Sequence, residues 1–203
     1  MVKINTYHPY HLLLNFFHQI PKGLVLDIGV GKGRNSFFLA KKGFKVEAID
    51  INKEFIKNIR KFAKENKFSI KTKCLDLRKF KFIPDKYSLI LAIQSLNFIK
   101  KSEFEEVIEK IKNSLTKNAL LIISAFTVND SSFKKFQKKH KPIEEDTFYS
   151  KKSPHWWHFF KKNELKRYFH SGFKTLYYSE RKVKDTKPFP HTHSIVEMIV
   201  KKN

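Results

Sequence analysis

An α/β fold, with a parallel sheet covered by helices, is what this sequence predicts. Three observations carry that reading. Short apolar runs rich in β-branched residues alternate with longer amphipathic stretches. The first run ends in a glycine-rich turn that opens a helix. The chain, with 203 residues and 41% hydrophobic side chains, is large enough to bury a substantial core.

In chain order, an opening helix is expected at about 9–19, a strand at 23–28, and a helical stretch through Phe37–Ala40. A strand at 44–50 leads to a helix capped by Asn52, with Phe55, Ile56, Ile59, Phe62 and Ala63 inward and Lys57, Arg60, Lys61 and Lys64 outward. Strands follow at 68–74 and 87–93. The clearest helix is 102–115: Ser102 and Glu105 form a capping box, and Phe104, Val107, Ile108, Ile111 and Leu115 line one face. A strand at 119–126, a late helix at 161–170 and a last strand pair at 173–184 and 192–201 complete the pattern. Nothing marks a domain boundary, so 1–203 reads as one domain. Residues 127–160 are too long for a plain connection, and such segments commonly serve as lids or specificity insertions.

Composition excludes several classes. Only 6 Gly and 7 Pro, beside 21 Phe, exclude a disordered or low-complexity chain. Cys74 stands alone, which excludes a disulfide framework and a cysteine-based zinc site. No apolar stretch is long enough to span a membrane, and Leu12–Phe17 is too short for a secretory hydrophobic region. The expected location is cytoplasmic. The charge of +23 raises nucleic acid as a partner, yet only five of the 42 basic residues are arginine, the residue that phosphate and base recognition favours.

The strongest local signal is Leu24-Val25-Leu26-Asp27-Ile28-Gly29-Val30-Gly31-Lys32-Gly33-Arg34-Asn35-Ser36. A strand, a glycine turn and a helix form a nucleotide-binding arrangement, in which glycines let a ligand approach the backbone. The third glycine falls one position earlier than in the G-x-G-x-x-G of dinucleotide enzymes. Asp27 just before the loop suits a cationic group better than a pyrophosphate, so the loop points to a cofactor with an amino-acid tail. Two further acids end the next strands: Asp50, placed to accept ribose hydroxyls, and Asp76, placed near an adenine amino group. All three fall at carboxyl ends of consecutive strands, where open α/β sheets bind ligands.

Asp27-Ile28-Gly29-Val30-Gly31-Lys32-Gly33 with Asp50 resembles the S-adenosylmethionine site of class I methyltransferases. The continuation Arg34-Asn35-Ser36-Phe37-Phe38-Leu39-Ala40 resembles, more narrowly, the tellurite-resistance methyltransferase family. Tyr87–Leu91 and Phe160–Phe169 extend the likeness, while Val30 replaces the usual Cys or Ser. The resemblance implies a Rossmann-like three-layer αβα fold whose seven-stranded, mostly parallel sheet has an antiparallel last strand. It also implies methyl transfer from S-adenosylmethionine to a small acceptor, such as an oxidised tellurium or selenium species or a thiol. By it, Asp27, Gly29, Gly31 and Gly33, with Arg34 and Asn35, hold the methionine part, Asp50 and Ile51 the ribose side, Asp76 and Leu77 the adenine, and Gln94 and Ser95 flank the methyl group.

His191 and His193 are the candidate catalytic groups. They project to one face of the last strand, where the family carries basic or imidazole side chains that orient an anionic acceptor; exposed positions on an edge strand are the competing reading. No metal is expected from this pair, because no third ligand lies at a suitable spacing. His155 and His158 flank two tryptophans, whose packing against the core is favoured over a lid lining, and His8 and His11 either close over the cofactor or are exposed. An RNA acceptor is the alternative, but Ile93-Gln94-Ser95-Leu96-Asn97-Phe98 lacks the [DNS]-P-P-[FY] used on base amines. A non-catalytic S-adenosylmethionine binder is the third class.

Overall fold

The computed structural model describes residues 8–151, 154–185 and 191–203. The elements are α1 (His11–Asn15), β1 (Leu24–Ile28), α2 (Arg34–Lys41), β2 (Lys45–Asp50), α3 (Lys53–Glu65), β3 (Ile70–Cys74), β4 (Tyr87–Ile93), α4 (Lys101–Ser114), β5 (Leu115–Phe126), α5 (Ser131–Lys139), β6 (Thr147–Ser150), β7 (His155–His158), β8 (Phe173–Asp185) and β9 (His191–Lys202). Seven of the strands form one sheet, ordered β3-β2-β1-β4-β5-β9-β8. β1 to β5 pair in parallel, and β9 runs antiparallel to both of its neighbours. The expected class I methyltransferase sheet is therefore present.

Each face of this sheet buries its own core, which is why the central strands read as unbroken apolar runs. On one face Leu26, Ile90, Leu121, Ile123 and Met198 meet Phe104, Val107, Ile108 and Ile111 of α4. On the other, Val25, Leu89, Leu91, Leu120, Ile122 and Ile199 meet Leu12 and Leu13 of α1, Phe37 and Leu39 of α2, and Ile56 and Ile59 of α3. Side chains alternate between faces along a strand. Asp27 therefore shares the α1–α3 face with Val25, Asp50 with Ala48, and Glu197 with Ile199. No described helix is long and apolar enough to cross a membrane.

Four local expectations are corrected. The opening helix stops at Asn15 and continues as a 3-10 turn over Phe17–Gln19, because Pro21 forces Ile20 into an extended conformation. The late helix shrinks to a 3-10 turn over Leu165–Tyr168; Asn163 sits at φ +59°, which no helix starting at 161 can accommodate. β5 begins at Leu115, which pairs with Tyr87 before an irregularity near Asn118 (φ +63°) lets the register resume at Leu120. The capping box of α4 is shifted: the Lys100 backbone N–H donates to Glu103 (2.9 Å), while the Ser102 hydroxyl and N–H donate to Glu144 (2.7 and 3.0 Å). Asn52 does cap α3, accepting from the N–H groups of Glu54 and Phe55.

Residues 127–160 carry α5 and the β6–β7 hairpin in place of a loop. Phe133, Phe148 and Phe159 pack with Phe126 and Ile195, joined by Phe98, Phe136 and Trp157. Both ends of the segment are fastened to the sheet, since Thr127 N–H donates to the Ser194 carbonyl and Phe160 N–H to that of Phe126 (both 2.9 Å). Of the tryptophans, Trp157 packs into this cluster, whereas Trp156 lies against Tyr149 and under the Lys100 ammonium.

Candidate functional site

The loop between β1 and α2 folds back on the sheet. Gly29 and Val30 donate their N–H groups to the Ile49 carbonyl (2.9 and 3.0 Å), Gly31 to Asp50 Oδ2 (2.9 Å) and Gly33 to the Val30 carbonyl (3.0 Å). A phosphate cradle needs such donors turned outward. Here they are spent inward, which agrees with a ligand that is not a pyrophosphate. Gly29 sits at φ +67°, and a Cβ there would fall 2.5 Å from Cβ of Ser95. Gly31, at φ +54°, would point a Cβ into open space, with only the Gly29 carbonyl oxygen within reach at 4.0 Å. The backbone thus leaves a smooth, uncluttered floor.

Below that floor Asp27 is 3% exposed. Its Oδ2 accepts from the Ser36 hydroxyl (2.7 Å). Burial pushes its carboxyl up to about 6, outweighing the Ser36 hydrogen bonds and the Arg34 guanidinium, while the Asp50 charge adds to the rise. A buried carboxylate in this state gains from an ammonium group. Asn35 is buried at the start of α2 and its Oδ1 accepts the Tyr10 N–H (2.8 Å), while the Arg34 guanidinium lies 5.8 Å from the Tyr10 ring centroid. The N-terminal segment is thereby drawn over the loop.

The other strand-end acids differ in what they have left to offer. Asp50 accepts one backbone N–H on each oxygen, from Gly31 and Asn52 (2.9 and 2.8 Å), leaving two lone-pair positions for hydroxyl donors. Ile51 beside it is 58% exposed, an apolar surface at the crevice rim. Asp76 caps a 3-10 turn over Leu77–Lys79 and binds the Arg78 guanidinium through both oxygens, which lowers its carboxyl below the usual range. It keeps the least acceptor capacity of the three. Leu77 is half-buried against the core of the α4 face.

After β4, Gln94 is held at φ +50°, and its N–H donates to the Ser124 carbonyl (2.9 Å). Strained backbone of this kind clusters at functional sites. Ser95 Oγ, both polar atoms of Asn97 and Trp157 Nε1 are buried and find no hydrogen-bond partner among the described residues. Leaving such groups unsatisfied costs about 1–3 kcal/mol each. Ser95 and Asn97 follow β4 directly and Trp157 belongs to the aromatic module packed there, while Ser124 Oγ, Asp146 Oδ2, His158 Nε2 and Glu164 Oε1 likewise lack a hydrogen-bond partner among the described residues. Asn97 and Trp157 were not singled out from the sequence as polar site groups, since only their burial distinguishes them.

A second set was also missed. Glu197, fully buried on β9 opposite Ser124, accepts from the Tyr10 hydroxyl, from Arg181 Nε (2.6 Å) and lies 2.6 Å from His11 Nε2. Burial alone would raise its carboxyl; the Arg181, Tyr10 and His11 contacts outweigh that and hold it below the usual range. His11 therefore belongs to this network, whereas His8 is exposed. Tyr10 and Glu197 stand 187 residues apart, a separation no local pattern could reveal.

His191 and His193 do share one face, with Nε2 atoms 2.9 Å apart. They lie farther out than the acids, because His193 is four residues beyond Glu197, or about 13 Å along the strand. His193 Nδ1 meets Asp130 Oδ2 at 2.9 Å and its ring lies beside Phe126. The expectation that no third donor adjoins the pair is corrected: Asp185 on β8 faces His191 across the hairpin, and one ligand atom from each of the three lies within 4.8 Å of the others. Pro190 lies outside the described residues. His158 is buried, with Nδ1 2.9 Å from the Thr147 hydroxyl, and is a packing residue of the β6–β7 hairpin. His155 adjoins Phe98. A separate cleft, lined by Lys45, Glu47, Arg60, Lys71 and Lys73 beside β2 and β3, shares no residue with the predicted set.

Comparison with known proteins agrees with this fold. The crystal structure of TehB from Haemophilus influenzae superposes with a TM-score of 0.76 at 21% identity, over 98% of this chain and 64% of that one. A Methanosarcina mazei S-adenosylmethionine-dependent methyltransferase gives a TM-score of 0.77 at 21% identity, over 97% and 99% of the two chains. The curated probable S-adenosylmethionine-dependent methyltransferase TehB of H. influenzae is 26% identical over 107 residues, which is 52% of this chain and 37% of that protein. This chain thus spans less than two thirds of those H. influenzae relatives. The model of the family described as tellurite resistance protein TehB matches residues 5–187, including the 127–160 segment. The chain has the class I methyltransferase fold and belongs to the TehB family.

Proposed function

We propose that this protein is an S-adenosylmethionine-dependent methyltransferase acting on a small acceptor, an oxyanion of the tellurite or selenite type or a thiol. The observation that carries this reading is the buried, upshifted Asp27 carboxylate beneath a glycine loop whose N–H groups turn inward, a combination that suits the ammonium of an amino-acid tail and not a phosphate. In this reading Asp27, Gly29, Gly31, Gly33, Arg34 and Asn35 hold the methionine part, Asp50 and Ile51 the ribose side, Asp76 and Leu77 the adenine, and Gln94 and Ser95 the methyl end. When bound, the cofactor supplies a methyl group on a sulfonium, open to in-line displacement.

The protein's own work is then alignment and exclusion of water, and positioning of this kind contributes about 7–11 kcal/mol. Phe98, Phe126 and Trp157 supply aromatic surface beside the orphaned polar groups of Ser95 and Asn97, a setting favourable to a cation. Residues 127–160, within a single domain over 1–203, cap the acceptor side. His191 and His193 orient an anionic acceptor at the outer rim. The charge of +23 draws anions towards the surface, and added salt weakens that pull. Support for a small acceptor comes from the family's tellurite-resistance description and from a structural neighbour of 15% identity and TM-score 0.68, a Burkholderia thailandensis toxoflavin-precursor methyltransferase with its small substrate bound.

The test is transfer of labelled methyl from S-adenosylmethionine to tellurite, selenite and small thiols, run in parallel with total RNA. Label in a small acceptor supports the reading. Label in RNA alone overturns it in favour of the nucleic-acid alternative.

A further inference from the structure

We infer that Asp185, His191 and His193 form a binding site for a divalent transition-metal ion, with zinc as the leading candidate. Their donor atoms converge within 4.8 Å, and the two Nε2 atoms are already 2.9 Å apart. Around a tetrahedral zinc with bonds of about 2.0–2.1 Å to nitrogen, neighbouring ligand atoms stand about 3.3 Å apart. The imidazoles need to part by only a few tenths of an ångström. The β8–β9 hairpin builds the set. Alternation puts His191 and His193 on one face, and the register sets Asp185 opposite His191 and Val183 opposite His193.

Asp130 supplies the second argument. Its Oδ2 faces His193 Nδ1 at 2.9 Å, and the carboxylate is itself fixed by the N–H groups of Ser132 and Ser194 (both 2.8 Å) at the start of α5. A carboxylate at Nδ1 keeps the proton on that nitrogen, so the Nε2 lone pair is aimed at His191. This is the carboxylate–histidine arrangement that orients metal-binding imidazoles.

Charge and donor type narrow the ligand. The carboxylates of Asp130 and Asp185 balance a dication locally, within a chain whose +23 charge disfavours unspecific cation binding. Two imidazoles with one carboxylate suit zinc, cobalt, nickel or copper, whereas magnesium prefers an all-oxygen set. Three protein donors leave a tetrahedral ion one open position. Its use by an anionic acceptor rests on the methyltransferase reading; the metal site itself does not.

The experiment is calorimetric titration of the full chain, free of any polyhistidine tag, with zinc chloride. Expected is one equivalent bound with micromolar or tighter affinity, no saturable binding of magnesium, and visible d–d bands of a four-coordinate ion when cobalt is substituted. H191A and H193A lose saturable zinc binding, the exposed D185N weakens it without disturbing the fold, and D130N weakens it about 10–100-fold. H18A, at a distant exposed histidine, leaves it unchanged. Absence of zinc binding by the wild-type chain, or binding that survives H191A and H193A in variants that melt like wild type, overturns the inference. Because the readout is metal affinity, its failure leaves the methyltransferase reading untouched, and loss of methyl transfer leaves this one untouched.

Discussion

The glycine-loop crevice and the outer histidine cluster stand above the same face of one sheet, yet they are assembled by opposite means. At the crevice, backbone does most of the work. The N–H groups of Gly29, Val30, Gly31 and Gly33 are spent within a short loop and on the adjoining end of β2, and one buried carboxylate waits beneath. In the outer cluster side chains do the work, and they come from Asp130, Asp185, His191 and His193, brought together by a hairpin and an aromatic module. A backbone site is written in a contiguous stretch of sequence. A side-chain site is written in register, and register belongs to the whole fold.

The largest test of this contrast removes the support of the outer region alone. Phe133 is buried against Phe148 and Phe159, so F133A should cost about 3–5 kcal/mol. Hydrogen exchange should lose protection in α5 and the β6–β7 hairpin while β1 and β2 stay protected. Equal loss in both regions would mean that they do not fold as distinct units.

A second prediction concerns Asp27, where function opposes stability. Its carboxyl titrates near 6 in the folded chain, against an ordinary 3.8. Below 3.8 both states are protonated and there is no penalty. Between the two values the folded state binds more protons than the unfolded one, so stability falls as pH rises, and above 6 the full cost persists. By linkage that cost is on the order of 3 kcal/mol. D27N should therefore gain stability relative to wild type as pH rises from 4 to 6, because Asn keeps an acceptor for the Ser36 hydroxyl and carries no charge. Thermal melts over that range check it; a constant difference between the two proteins would remove the burial argument.

The smallest effect is expected at Gly31. A Cβ there meets only open space, so G31A costs about 1–2 kcal/mol for its left-handed backbone. Its loss of S-adenosylmethionine affinity should exceed that figure, since the new methyl stands on the floor of the crevice. An affinity loss no larger than the stability loss would argue that the ligand lies elsewhere.

These differences also explain what could be read from the chain. Asp27, the glycines and Asp50 were legible because motif and geometry are local, and the strands were legible because burial on both faces leaves unbroken apolar runs. The Ser102–Glu105 box failed because Glu144, from a distant segment, captures Ser102. The late helix failed at a single residue, Asn163. The Tyr10, Arg181 and Glu197 network and the Asp185 donor stayed hidden because only the pairing of β9 with β5 and β8 brings them together. Asp76 was correctly placed at a strand end, but its partner Arg78, two residues on, changes what it can offer.

The most direct test of the central claim is calorimetry of S-adenosylmethionine with the wild-type chain and D27N at pH 8. One-to-one binding by the wild type and its loss in D27N are expected, even though that variant melts at a higher temperature. Unchanged affinity in D27N, or no binding by a folded wild-type protein, would contradict the assignment of the crevice.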